Sequence, residues 1–135
     1  MRDQPSGPVL LALARDLLLK DLLPLLPAEV RVKTRLVATC MAIAAREAAA
    51  GAGPVDKIIA AVQEFYGSPA IAVSDLGGEA GAKLLRRFAL DLRNGAFETS
   101  ESQERAARAI LWRMTIAKLR EGNPGFLAAN GFAGS

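Results

Sequence analysis

The sequence predicts an all-α protein, a single-domain antiparallel bundle of about five helices. Three observations carry that expectation. Alanine and leucine supply much of a 51% hydrophobic content that includes only 5% aromatic residues. Both favour helix, and β-branched runs are few. The chain also divides into helical segments with mostly short connections and no strand pattern. At 135 residues and a mean hydropathy of +0.21 it is long enough to bury its own core and too apolar to be disordered.

The first helix is expected from about Pro8 to Leu23. Ser6 is placed to cap it, Pro8 sits in the first turn, and Pro24 and Pro27 stop it. Its leucines do not form one narrow stripe. Leu10, Leu13 and Leu17 lie together, Leu11, Leu18 and Leu22 to one side, and Leu19 and Leu23 on the back. A helix apolar nearly all round is either central to a bundle or faces both its own core and another chain.

The second helix spans 28–50 and ends at Gly51. Arg35, Thr39, Ala42 and Arg46 form a polar stripe. Leu36, Cys40 and Ile43 form the expected core face, which buries the lone Cys40 as an inert thiol. Glu47 falls on that apolar side, so a buried ion pair with an arginine such as Arg46 is expected there.

The third helix covers 54–66, with Gly67 ending it. The segment 67–78 carries Pro69 and several glycines and reads as a flexible loop. The fourth helix covers 79–94, with Leu84, Phe88 and Leu92 on one face. The fifth covers 101–121. Its start is well marked, with Ser100 and Gln103 as a capping box and Glu101 and Glu104 at the positive end of the dipole. One face is Ala106, Ala107, Ile110, Met114 and Ala117. A second patch is Trp112, Ile116 and Leu119. The remainder, 122–135, reads as a flexible tail.

Composition excludes several functions. The uncharged run of the second helix stops at Ala45 and is flanked by Arg35, well short of the ~20 residues of a membrane span. No secretory pattern is read at the start, so a cytoplasmic location is expected. Histidine is absent, which removes the usual general base and metal ligand. The net charge of +3 is small and its arginines are interleaved with acids, so no nucleic-acid partner is expected. "GGEAG" (Gly77–Gly81) opens a helix without the strand a phosphate loop needs, and reads as a loop–helix junction. No catalytic residue, metal site or cofactor is assigned.

Three stretches, in order, carry a family likeness. They are "RDQPSGPVLLALARDLLLKDLLP" (Arg2–Pro24), "RLVATCMAIAARE" (Arg35–Glu47), and "LRNGAF" (Leu92–Phe97) through "IAKLREGNPGF" (Ile116–Phe126). Together they resemble the DUF6285 family of short bacterial helical proteins. The pattern does not align through Gly67–Gly81, and the family's late aromatic stands as Phe126 behind Gly125. The resemblance implies an accessory role beside acyl-CoA dehydrogenase-like or phosphotransferase-like enzymes, and no catalytic residues.

The leading expectation is a non-enzymatic module that self-associates or docks on a partner protein. Leu11, Leu18, Leu19 and Leu22 of the first helix and Trp112, Ile116 and Leu119 of the fifth are its expected contacts. The alternative is a bundle that binds a small ligand such as an acyl-CoA. Arg35, Arg46, Arg86 and Arg87 would then hold its anionic groups beside an apolar pocket.

Overall fold

In a computed structural model, residues 4–67 and 78–132 are described. The chain is all-α, with no strand among those residues. Its helices group into two compact units, Met1–Gly51 and Ala52–Ser135. The expected loop at 67–78 and the Gly77–Gly81 junction fall almost wholly or in part outside the described residues.

The first unit is a helical hairpin. Helix α1 runs Gly7–Leu17. Ser6 stands at its N-cap, but the side chain makes no capping hydrogen bond. Its carbonyl instead accepts from the Leu10 amide at 2.9 Å. The α-helix does not reach Leu23. It widens into a π turn over Leu18–Leu22 and then tightens into a 3-10 turn over Leu23–Leu25. Pro24 explains the change, because it has no N–H to return to the preceding turn and its ring crowds the carbonyl of Lys20. The Leu23 amide bonds Leu18 O in compensation.

The turn that follows is held from α2 (Ala28–Ala50). Arg31 donates from Nε to Leu26 O at 2.9 Å and from Nη2 to Pro24 O at 3.3 Å. These carbonyls have no helical donor of their own, so one guanidinium satisfies both. Helix α2 then packs along α1 and ends at Gly51, whose φ of +62° suits glycine.

The face that α2 turns inward is the expected one only in part, since Ile43 is half-buried while Leu36 and Cys40 are not. Ala38, 2% exposed, is the sole buried residue of α2, while Leu36 is 61% exposed and Cys40 is exposed. Ala42 and Ala45 share the Ala38 side at spacings of four and three and are half-buried. Small alanines let two helix backbones approach closely, and that contact competes with burial of the larger Leu36–Cys40–Ile43 side. Cys40 is therefore not the buried thiol expected from its apolar neighbours. Glu47 is exposed too, so the expectation of a buried carboxylate there is corrected for the same reason.

The second unit has an aromatic core. Helices α3 (Gly53–Tyr66), α4 (Glu79–Arg93) and α5 (Glu101–Gly122) supply it. Val62, Phe88, Phe97, Ala107 and Ile110 are buried together, with Phe65, Leu84, Leu92 and Met114 packed against them. Phe65 meets Phe97 edge-on with centroids 4.9 Å apart and Phe88 at 5.6 Å. Such pairs add about 0.5–1.5 kcal/mol beyond their burial. Phe97 lies between helices, so no periodicity marked it as core.

Ser100 caps α5 as expected, its Oγ accepting from Gln103 N. The tail differs from expectation. It carries α6, Pro124–Ala129, opened by Asn123, whose Oδ1 accepts from Phe126 N at 3.1 Å. Helix α6 packs on α5 and buries Leu127.

Candidate functional site

The residues that stand out for function are apolar and uncovered, and they lie on the hairpin. Among the described residues α1 and its two following turns bury nothing. Leu11, Leu18 and Leu19 are half-buried. They supply the α1 side that faces α2. Leu10, Leu13 and Leu17 form a separate ridge at spacings of three and four and are exposed, Leu13 to 59%.

Leu22 is exposed as well. A π turn advances less per residue than an α turn, so it rotates Leu22 back toward the Leu10–Leu17 side. On α2, Val30 and Val37 lie seven residues apart on one side and are exposed. The polar groups occupy other sides. Lys20 pairs with Asp16 at 2.8 Å on α1, and this pairing lowers the Asp16 carboxyl and raises the Lys20 ammonium. Thr39 Oγ1 donates to Arg35 O at 3.0 Å on α2.

This arrangement changes the expected contact set. Leu22 belongs to the uncovered surface, whereas Leu11, Leu18 and Leu19 are largely spent on α2. In the second unit Ile116, 5% exposed, is buried and is withdrawn as a contact residue. Leu119 is half-buried. Trp112 remains half exposed, its ring edge-on to Phe132 with centroids 5.3 Å apart. Helix α6, which was not expected, packs on α5.

The candidate anion-binding arginines fall in both units. Arg35 is exposed and Arg46 half-buried on α2, and Arg86 is exposed on α4. Arg87 is engaged locally. Its guanidinium stacks over the Tyr66 ring at 4.3 Å from the centroid and lies 3.7 Å from Asp91. Tyr66 Oη donates to Asp91 Oδ2 at 2.5 Å. Burial, together with the hydrogen bond to Asp91 and its charge, pushes the Tyr66 phenol up to about 12.

A groove of about 220 Å³ opens between the end of α4 and α5. Leu92, Phe97, Glu98, Glu104, Arg108 and Leu111 line it; Arg86 and Arg87 do not. Arg108 there is already paired with Glu104. No cluster of three or more metal-type ligands occurs among the described residues. Nor is any single helix among them long and apolar enough to cross a membrane.

A family model described as "Domain of unknown function (DUF6285)" matches residues 24–126. The match covers most of the chain, which therefore belongs to that family. Helix α1 lies ahead of the matched segment. No curated protein and no solved structure matches the chain.

Proposed function

We propose that this DUF6285 member is a helical interaction module that works by docking its N-terminal hairpin on a protein surface. One observation carries the reading. The hairpin has a row of large exposed apolar side chains and, among its described residues, a single buried one, Ala38. The largest contiguous apolar patch on a monomer runs to about 300–600 Å² and often serves as an interaction surface. Two helices alone bury too little to offset the entropy of ordering them, so this unit gains most from a partner. Acyl-CoA dehydrogenase-like or phosphotransferase-like enzymes, which the family resemblance implies, are the heterologous candidates.

The test is native mass spectrometry of the chain isolated from its source cells. A complex, with itself or with another protein, that is lost on Leu13→Asp is the expected result. A bare monomer, or a complex indifferent to both Leu13→Asp and Val37→Asp, overturns the reading.

A further inference from the structure

We infer that the occupant of the hairpin surface is a second copy of this chain, two hairpins closing into a four-helix bundle. The inference rests on the interaction reading above and names its partner. Leu10, Leu13, Leu17 and Leu22 from the first helical segment and Val30 and Val37 from α2 are between 38% and 59% exposed.

Helical phase places these residues on one side of the hairpin. Leu10 and Leu17 flank the inward Leu11–Leu18 line on α1, with Leu13 farther round toward the outer side of that helix, and Val30 and Val37 flank the inward Ala38 line on α2. Because the chain reverses at Pro24–Pro27, the two apolar flanks lie beside each other. The Asp16–Lys20 flank and the Arg35–Thr39 flank, the latter shared with exposed Val32, fall together on the reverse side.

The size of this surface suits a dimer of this kind. Six large side chains near half exposure offer on the order of 500 Å² of apolar area. A standard-size protein–protein interface takes about 800 Å² per partner and homodimer interfaces are about 65% apolar, so full burial of this surface reaches the lower size class of stable dimers. Shape agrees as well. Exposed Ala14 sits between Leu10 and Leu17 at spacings of four and three, leaving a gap a leucine knob can enter.

Charge separates this occupant from others. Seven Lys/Arg and five Asp/Glu between Met1 and Gly51 nearly cancel, so two copies repel only weakly. The same balance gives an anionic lipid surface little to hold. A two-fold interface is self-complementary, since a contact of residue i with residue j of the other copy is repeated by the symmetry.

Sedimentation equilibrium on the full chain across a micromolar concentration series tests the inference. Wild type is expected at twice the 14.2 kDa chain mass. Leu13→Asp is expected to weaken dimerisation at least tenfold with helical circular dichroism retained, because Leu13 is exposed within one chain. Val37→Gln repeats the test from α2 in case the α1 variant loses helix. Leu36→Asp, on the side of α2 opposite Ala38, is expected to leave the dimer intact.

A wild-type monomer throughout the series overturns the inference. So does a dimer broken by Leu36→Asp but not by Leu13→Asp or Val37→Gln, or a monomer that pellets with phosphatidylcholine vesicles. A monomer in isolation that forms a Leu13-dependent complex with another protein defeats the second copy while leaving the interaction reading standing.

Discussion

Tyr66 on α3 and Asp91 on α4 share a hydrogen bond of 2.5 Å, and Arg87 closes the arrangement by stacking on the tyrosine ring and approaching the same carboxylate. The three groups tie two helices together at the rim of the aromatic core. Their residue types are individually common on helix surfaces. Their value comes from a partly buried phenol that keeps its proton.

That proton makes the second unit sensitive to alkali. The Tyr66 phenol stands at about 12 in the folded chain against an ordinary value of 10.0. A raised folded-state value means the stabilisation is complete below pH ~10 and is lost as pH rises from about 10 to 12. Thermal unfolding followed from pH 8 to 11.5 is expected to show this fall. Tyr66→Phe is expected to flatten the part due to this group. A wild-type curve no steeper than the variant's would show that the phenol is not shifted.

Gly95 holds the exit from α4. Its φ is +69°, and an added Cβ would lie 3.0 Å from the Glu98 carboxyl carbon. Gly95→Ala is therefore expected to destabilise by about 1–2 kcal/mol, from backbone strain and a displaced Glu98. Urea denaturation measures it, and Glu98→Ala in the same background should recover the steric share only. A Gly95→Ala chain as stable as wild type would show that the turn is not held in this conformation.

Core and surface positions should separate cleanly. Phe88 is 2% exposed within the ring cluster, and Phe88→Ala is expected to cost about 3–5 kcal/mol. Leu36→Gln, on the exposed side of α2, is expected to stay within about 0.5 kcal/mol. Chemical denaturation of both variants checks the contrast. Equal losses would mean that Leu36 is packed rather than exposed.

Cys40 offers a direct probe of which side α2 turns outward. It is exposed, and it lies on the side opposite Ala38. One thiol per chain is expected to react with a disulfide reagent in the native state at a rate close to that of the unfolded chain. Reaction only after unfolding would place the Leu36–Cys40–Ile43 side inside.

Element boundaries were legible because they are local. Ser100 with Gln103 marks the start of α5, and Gly51 and Gly67 mark the ends of α2 and α3. Each works through backbone conformation or a hydrogen bond within a few residues. The π turn at Leu18–Leu22 was not legible, since Pro24 announces an interruption without stating how the preceding turn absorbs it. Asn123 carried the signal for α6, an Asn–Pro pair ahead of apolar residues, but the following glycine and short length hid it.

Part of the candidate site was legible too. An excess of apolar surface on the first helix follows from leucines distributed around its wheel, and the structure leaves such an excess exposed. Which leucines stay outside could not be read. Leu11, Leu18 and Leu19 were expected at the surface, and Leu10, Leu13 and Leu17 take that place instead.

The sequence by itself therefore determined the all-α class, several of the helix ends and the surplus of apolar side chains, because propensity, capping and composition act over one or two turns. Tertiary structure decided which faces are buried. Helix α2 offers a small alanine side and a larger Leu36–Cys40–Ile43 side, and helix α5 offers two apolar patches. A choice between competing faces depends on close backbone approach and on which other element arrives, as Ala38 shows on α2 and Leu127 of α6 shows on α5. Periodicity records that a face exists; only packing selects the one that is used.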